Sequence, residues 1–227
     1  MELSTLKDFE ADTRTLVPKF SVKWKNKSLV QKLLGVLLFF NPQYMTGYVT
    51  TFYPTVWFSS EGDYEKDPAK SMVVVAHERV HLLDTIRHGV WFKFSYLLPQ
   101  VLFAPLLLTA IACLIGNHEL YALISLVLGL VALAPWPSPW RVQWEKRGYA
   151  MSLAAHYWLF GDTPEQLKQS IRTHFLDWSY YKMSRNPKDI DIWLTGVTAD
   201  IRSGIICSDV VYYNVRRFLM GKGLVKQ

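Results

Sequence analysis

Cysteine is scarce in this chain: Cys113 and Cys207 are the only two in 227 residues, and the first sits inside an apolar run. That argues against a disulfide framework and suits a reducing compartment. No long Lys/Arg run is present either. The net charge of +6 would suit nucleic acid or an anionic membrane surface. The densest basic stretch, Lys19 to Lys32, is however interleaved with Phe20, Val22 and Trp24. That is the pattern of an interfacial segment, so a nucleic-acid partner is not expected and a lipid bilayer is. The N-terminal stretch has Glu2, Asp8, Glu10 and Asp12 and no apolar core behind a basic start, so no secretory signal is expected. No internal repeat or low-complexity tract is visible.

Aromatic residues are plentiful: nine Trp, twelve Tyr and twelve Phe, in a chain half of which is apolar, mark a folded protein. The length fits a single domain over 1–227. The patterning predicts a mainly α fold with a small β element. Ser28 to Phe40 reads as a short apolar helix capped by Ser28 and stopped by Asn41-Pro42. Gly47 to Ser59 has strand composition, and Pro54 divides it or confines it to an edge. Asp67-Pro68 starts a helix that Gly89 ends. From Phe94 to Asn117, and again from Leu120 to Trp140, no charged residue occurs. These stretches read as an apolar helical hairpin over 94–140, long enough for a transmembrane pair, although Pro99 and Pro105 also fit a re-entrant or buried hairpin. Further helices are expected over Arg141 to Phe160, after a capping box at Thr163 and Gln166, from Pro187 to about Arg202, and from Asp209 to Met220.

The helix from Pro68 contains His77-Glu78-Arg79-Val80-His81, an HExxH string. Residues four apart share one helix face, so both imidazoles can reach one zinc ion and Glu78 faces the water beside it. Zinc would lower the pKa of that water and polarise a carbonyl, and Glu78 would act as general base and then hand the proton to a leaving amine. Chance places such a string in roughly one chain in 200 of this composition, so context must decide. Two other readings stay open: a zinc ion that only staples the fold, and two ordinary helix histidines with no metal.

A catalytic zinc needs a third protein ligand and an open position. His88 falls on nearly the same face as His77 but about 16 Å along the axis. His118 sits in the hairpin turn, and Asp84 reads as a supporting group. Glu145 is the better candidate: it follows the hairpin, near Gly148, whose small size would let two helices approach closely. A hairpin crosses a bilayer an even number of times, so Glu145 returns to the side of His77 and His81. Arg87, Lys93, Arg141, Lys146 and Arg147 flank the hairpin and only His118-Glu119 occupies its turn, which puts the site on the cytoplasmic side of a membrane. A surface carboxylate paired with a neighbouring Lys or Arg is the competing reading of Glu145.

His77-Glu78-x-x-His81 followed by an apolar hairpin and Glu145-x-x-Gly148 resembles the gluzincins, most closely the membrane-embedded CaaX-processing and heat-shock zinc endopeptidases. The resemblance covers about Ser71 to Ala155. It implies a zincin-like HExxH helix packed on a glutamate-bearing helix, His77, His81 and Glu145 as zinc ligands, Glu78 as base, and a peptide or protein substrate cleaved at or near a membrane. That family usually has an aspartate four residues after the ligand glutamate. Here the position holds Tyr149, which could hydrogen-bond a ligand or serve as the oxyanion donor. The family's first pair of transmembrane helices has no counterpart. A membrane-anchored structural or assembly protein with a structural or vestigial zinc site is the alternative. His156 and His174 are weaker oxyanion candidates, and Gly47 to Ser59 could hold an extended peptide by edge pairing.

Overall fold

A computed structural model of the chain describes residues 1–38, 43–134, 136–178 and 182–226. It is mainly helical, with one three-stranded sheet. The predicted helix stop at Asn41-Pro42 and the first proline of the 135–139 cluster lie outside the described residues.

Two long helices form the centre. Helix α4, Pro68–His88, starts where Asp67 accepts a hydrogen bond from the Lys70 amide, with proline in the first turn. It ends at Gly89, whose φ of 57° few other residues adopt at low cost. Helix α8, Pro139–Phe160, is capped by Ser138 and ends on Gly161 in the left-handed conformation. The two pack against each other. Helix α4 buries thirteen of its 21 residues and α8 thirteen of its 22, too many for a single apolar stripe, so both are enclosed on several sides. Helix α1, Leu3–Leu16, covers the outer face of α4, the short α3, Glu61–Lys66, packs near the start of that helix, and α10, Pro187–Ser203, and α11, Val210–Gly221, pack on α8.

The strand-like stretch 47–59 is two strands, β2 at Thr50–Phe52 and β3 at Thr55–Phe58, paired antiparallel about Tyr53-Pro54. Strand β1, Ser21–Trp24, pairs parallel with β3, giving the order β1-β3-β2. The interfacial pattern of Lys19 to Lys32 thus holds a strand and a short helix, α2 (Leu29–Leu37).

The two uncharged stretches become shorter helices than their length suggests. A chain break near Pro99 separates Val90–Leu97 (α5) from the helical run Gln100–Ile115, at an angle of 96°. The hairpin proper is α6, Phe103–Ile115, packed along α7, Glu119–Ala132. Arms of 13 and 14 residues reach about 20 Å, against about 30 Å for a bilayer core. Among the described residues no single helix is long and apolar enough to cross a membrane. The expected capping box also does not form. Helix α9, Glu165–Leu176, begins after Pro164, and the Thr163 hydroxyl is buried without a hydrogen-bond partner among the described residues.

Candidate metal centre

His77 and His81 lie one turn apart on the buried face of α4, and Glu145 faces them from the second turn of α8. All three are at most 9% exposed. Nε2 of His77 is 3.1 Å from Nε2 of His81 and 3.6 Å from Glu145 Oε2, and His81 Nε2 is 3.9 Å from Glu145 Oε1. Tetrahedral zinc with legs of 2.0–2.1 Å has edges of about 3.3 Å, close to the spacing of the two Nε2 atoms, while the two Glu145 distances, each to a different oxygen, are somewhat longer. Two imidazole nitrogens and a carboxylate oxygen, all within 4.8 Å of one another, form a donor set that can hold a metal ion.

The surroundings prepare these groups. The Ser152 hydroxyl donates to the Gly148 carbonyl, leaving its oxygen to accept from Nδ1 of His77 at 3.0 Å. That contact fixes the orientation of the His77 ring and turns Nε2 toward Glu145. Gly148 lies flat against His77: a Cβ there would stand 2.5 Å from Nε2. The closeness at Gly148 is therefore contact with the ring of His77. Tyr96, from α5, donates its hydroxyl to Oε1 of Glu145. Nδ1 of His81 is buried with no partner among the described residues.

Electrostatics separates the two carboxylates. Burial pushes Glu78 above the usual carboxylate range, although His77 and the Thr51 hydroxyl, which donates to Oε2 at 2.6 Å, oppose it. Burial would also raise Glu145, but the hydrogen bond to His77 and the charge of both imidazoles bring it down to about 2. His81 is lowered to about 4 by burial, against the pull of Glu145. Burial would lower His77 as well, yet its bond to Glu145 and the neighbouring carboxylates raise it. The two imidazoles are thus shifted in opposite directions, His77 upward beside Glu145 and His81 downward.

The triad and Glu78 line a groove of about 500 Å³ together with Thr50 to Tyr53 and with Phe92, Lys93, Tyr96 and Leu97. The remaining sequence candidates lie elsewhere. Tyr149 bonds through its hydroxyl to Nδ1 of His174 at 2.9 Å and sets its ring edge-on to His77, 4.8 Å between centroids. His156 bonds the Asp162 carbonyl, and His88 packs on Trp144. Asp84 takes a two-pronged bond from Arg147, which also reaches Asp209, and so ties α4, α8 and the start of α11 together.

Tyr96, Thr51 and Ser152 were not foreseen. Ser152 carried a signal, standing seven residues after Glu145 on the same helical face. Tyr96 had none, because it reaches the site only through the turn of chain at Gly89.

Compared with protein-family models, with curated protein sequences and with solved structures, the chain matches none.

Proposed function

We propose that the chain is a zinc metalloendopeptidase of the gluzincin type, working at a membrane, with His77, His81 and Glu145 as ligands and Glu78 as general base. The observation that carries this reading is Glu78 itself. It is buried beside a three-donor metal cluster, raised in pKa and held by Thr51, and it faces an open groove. A metal that only stapled α4 to α8 would need neither the groove nor the second carboxylate.

A zinc ion in the triad would supply a Lewis acid that polarises a peptide carbonyl and makes a water molecule a nucleophile near neutral pH. The protein does the rest. Glu78 would accept a proton from the attacking water and pass it to the leaving amine. Thr51 fixes the Glu78 carboxylate, Ser152 fixes the His77 ring, and Tyr96 orients Glu145. Among the described residues strand β2 pairs with β3 alone. Its residues Thr50 to Phe52 line the groove, and an unpaired strand edge suits an extended peptide, which would gain main-chain hydrogen bonds there. Tyr149 acts in this scheme by packing on His77, and its hydroxyl becomes an oxyanion donor only if it leaves His174.

The membrane part of the reading rests on α6 and α7. They expose Leu108, Ile115, Leu120 and Leu123 at 58 to 80%, a surface too apolar for water. Charges flank the hairpin at Arg87, Lys93, Arg141, Lys146 and Arg147, which favours a cytoplasmic site. With its bent first arm, it fits a shallow or re-entrant insertion as well as a span.

The test is zinc stoichiometry together with peptide hydrolysis for four proteins. The native chain should bind one zinc and cleave. Glu78→Gln should keep the metal and lose cleavage, whereas His77→Ala and Glu145→Ala should lose metal affinity. Full zinc occupancy in Glu145→Ala would remove that residue from the site. Normal zinc in the native chain, with no cleavage of any peptide in a broad library, would favour a membrane-anchored protein with a structural metal.

A further inference from the structure

Helix α2 is amphipathic in the wrong sense for a water-soluble surface. Its exposed residues are Leu29, Val30, Lys32, Leu33 and Val36, the four apolar ones at 72, 65, 57 and 71%. At 100° per residue these four fall within an arc of about 120°. The opposite face turns a polar residue inward: Gln31 is 1% exposed and its amide oxygen accepts from the Tyr44 hydroxyl at 2.6 Å. Among the described residues nothing covers the apolar side.

The chain leading into α2 carries the complementary feature. Between Lys19 and Lys32 there are five lysines and no acidic residue. One of them, Lys25, is fully buried, its amine donating to the carbonyls of Tyr44 and Tyr48, and so anchors the base of α2 to the body of the protein. Lys23 and Lys27 instead border a cleft of about 360 Å³ with Trp24, Trp57 and the capping Ser28. The Lys23 amine lies 5.7 Å from the centre of the Trp57 ring, and Lys27 pairs with the exposed Glu61 at 2.7 Å. Two lysines and two tryptophans at the foot of an exposed apolar helix match the depth profile of a bilayer edge: charge at the headgroups, indole at the interface, aliphatic side chains below.

We propose that α2 is a second, interfacial anchor, whose Leu29, Val30, Leu33 and Val36 enter the outer acyl layer of a bilayer containing anionic phospholipid while Lys23 and Lys27 receive the phosphate of a headgroup beside Trp24 and Trp57. The inference deepens the membrane part of the proposed function by naming the lipid class, and it is independent of zinc and of hydrolysis. Because Ser28, which caps α2, also lines the lysine cleft, the occupant presents an anion and hydrocarbon together, which a free phosphate does not.

The experiment uses the full chain with Cys113→Ser and Cys207→Ser, and an environment-sensitive fluorophore on Leu33→Cys. In vesicles of phosphatidylcholine containing phosphatidylserine, the probe should be shielded from aqueous iodide and quenched by lipids with nitroxide near the headgroup. Shielding should weaken in pure phosphatidylcholine, and Lys23→Gln and Lys27→Gln should each lower the shielded fraction's partition constant roughly fivefold. A second protein labelled at Ile124→Cys on α7 reports the hairpin separately, so failure of the α2 anchor and failure of the hairpin insertion give different patterns. Equal iodide access at residue 33 with and without anionic vesicles would overturn the proposal. So would shielding that follows protein concentration in the absence of lipid, which would mean a second copy of the chain, or full shielding by inorganic phosphate alone.

Discussion

Replacing Gly148 with alanine tests how the centre is built. The added methyl would stand 2.5 Å from Nε2, 2.7 Å from Cε1 and 2.9 Å from Cδ2 of His77, where ordinary contact begins at 3.4 Å. About 1 Å of separation must therefore be found. The ring has little room to give: Nδ1 is held by Ser152, Tyr149 meets its face, and the residue is 9% exposed. The backbone of α8 must then move away from α4, carrying Glu145 with it. Two effects oppose each other in the metal-free protein. Alanine gains about 1 kcal/mol over glycine inside a helix, and overpacking costs about 1–3 kcal/mol. The net change in stability should be a loss of about 0–2 kcal/mol, so the variant folds. Metal affinity has no such compensation, since ligand positions matter to about 0.2 Å, and zinc binding should weaken by about 100-fold or more. The measurements are urea unfolding in the presence of a chelator and zinc competition against a chromogenic chelator. Gly196→Ala is the matched control, because a Cβ there meets nothing within 4 Å. It should stabilise α10 by up to about 1 kcal/mol and leave zinc affinity unchanged. Native zinc affinity in Gly148→Ala would refute the idea that α4 and α8 meet through His77.

Zinc at about 1,000 times its dissociation constant should add about 4 kcal/mol to unfolding stability, read as a rise in melting temperature, and Glu145→Ala should lose most of that increment. Arg79 is 1% exposed, bonded to Asp12 at 2.6 Å and set over the Phe9 ring. Asp12→Ala leaves that charge without its carboxylate and should cost about 3 kcal/mol in urea unfolding, the low end for breaking a buried pair because the Asp12 side chain is 33% exposed. A cost under about 1 kcal/mol would mean that water replaces the carboxylate. Burial lowers Lys25 to about 8, against the pull of Glu78, from 10.5 when unfolded. Between those values the unfolded chain holds more protons, so stability should rise with pH from about 8 to 10.5, by on the order of 3 kcal/mol. Unfolding of the metal-free protein across that window should show the slope, and Lys25→Met should flatten it.

What the sequence made legible was whatever it encodes locally. The bounds of α4 follow from Asp67-Pro68 and Gly89, and the helical spacing of His77 and His81 fixes their common face. Glu145 came from a topological step, a hairpin that returns the chain to its starting side, and from the smallness of Gly148. Pairings across long separations were not legible. Strand β1 meets β3 34 residues later, and nothing in Ser21 to Trp24 announces a parallel partner. Hydropathy gave the length of the apolar stretches and Pro99 marked where the first could break, but neither gave the 96° angle of that bend, which depends on how α5 packs on α4 and α8. Thr163 had the residues of a capping box, yet Pro164 takes the cap position and offers no amide.

The face of α8 toward α4 has three residues with three different tasks, Glu145, Gly148 and Ser152, spaced so that each meets the same imidazole pair from a different height. Glu145 supplies an oxygen, Gly148 supplies clearance, and Ser152 holds the far nitrogen of His77. A carboxylate among two imidazoles is driven to stay ionised, as a ligand must be. Glu78 lies one residue from His77 but on the groove side, where burial raises its pKa against the opposing pull of His77, the Thr51 hydroxyl and Lys25, which is the condition for a group that must take up and release a proton. The divergence of two neighbouring carboxylates, one fixed as an anion and one poised to exchange, is the feature that a purely structural metal would leave without a purpose. On the proposed reading, exchanging Thr51 for valine should therefore alter the pH profile of hydrolysis while leaving zinc affinity within about twofold, because Thr51 touches the base and none of the ligands.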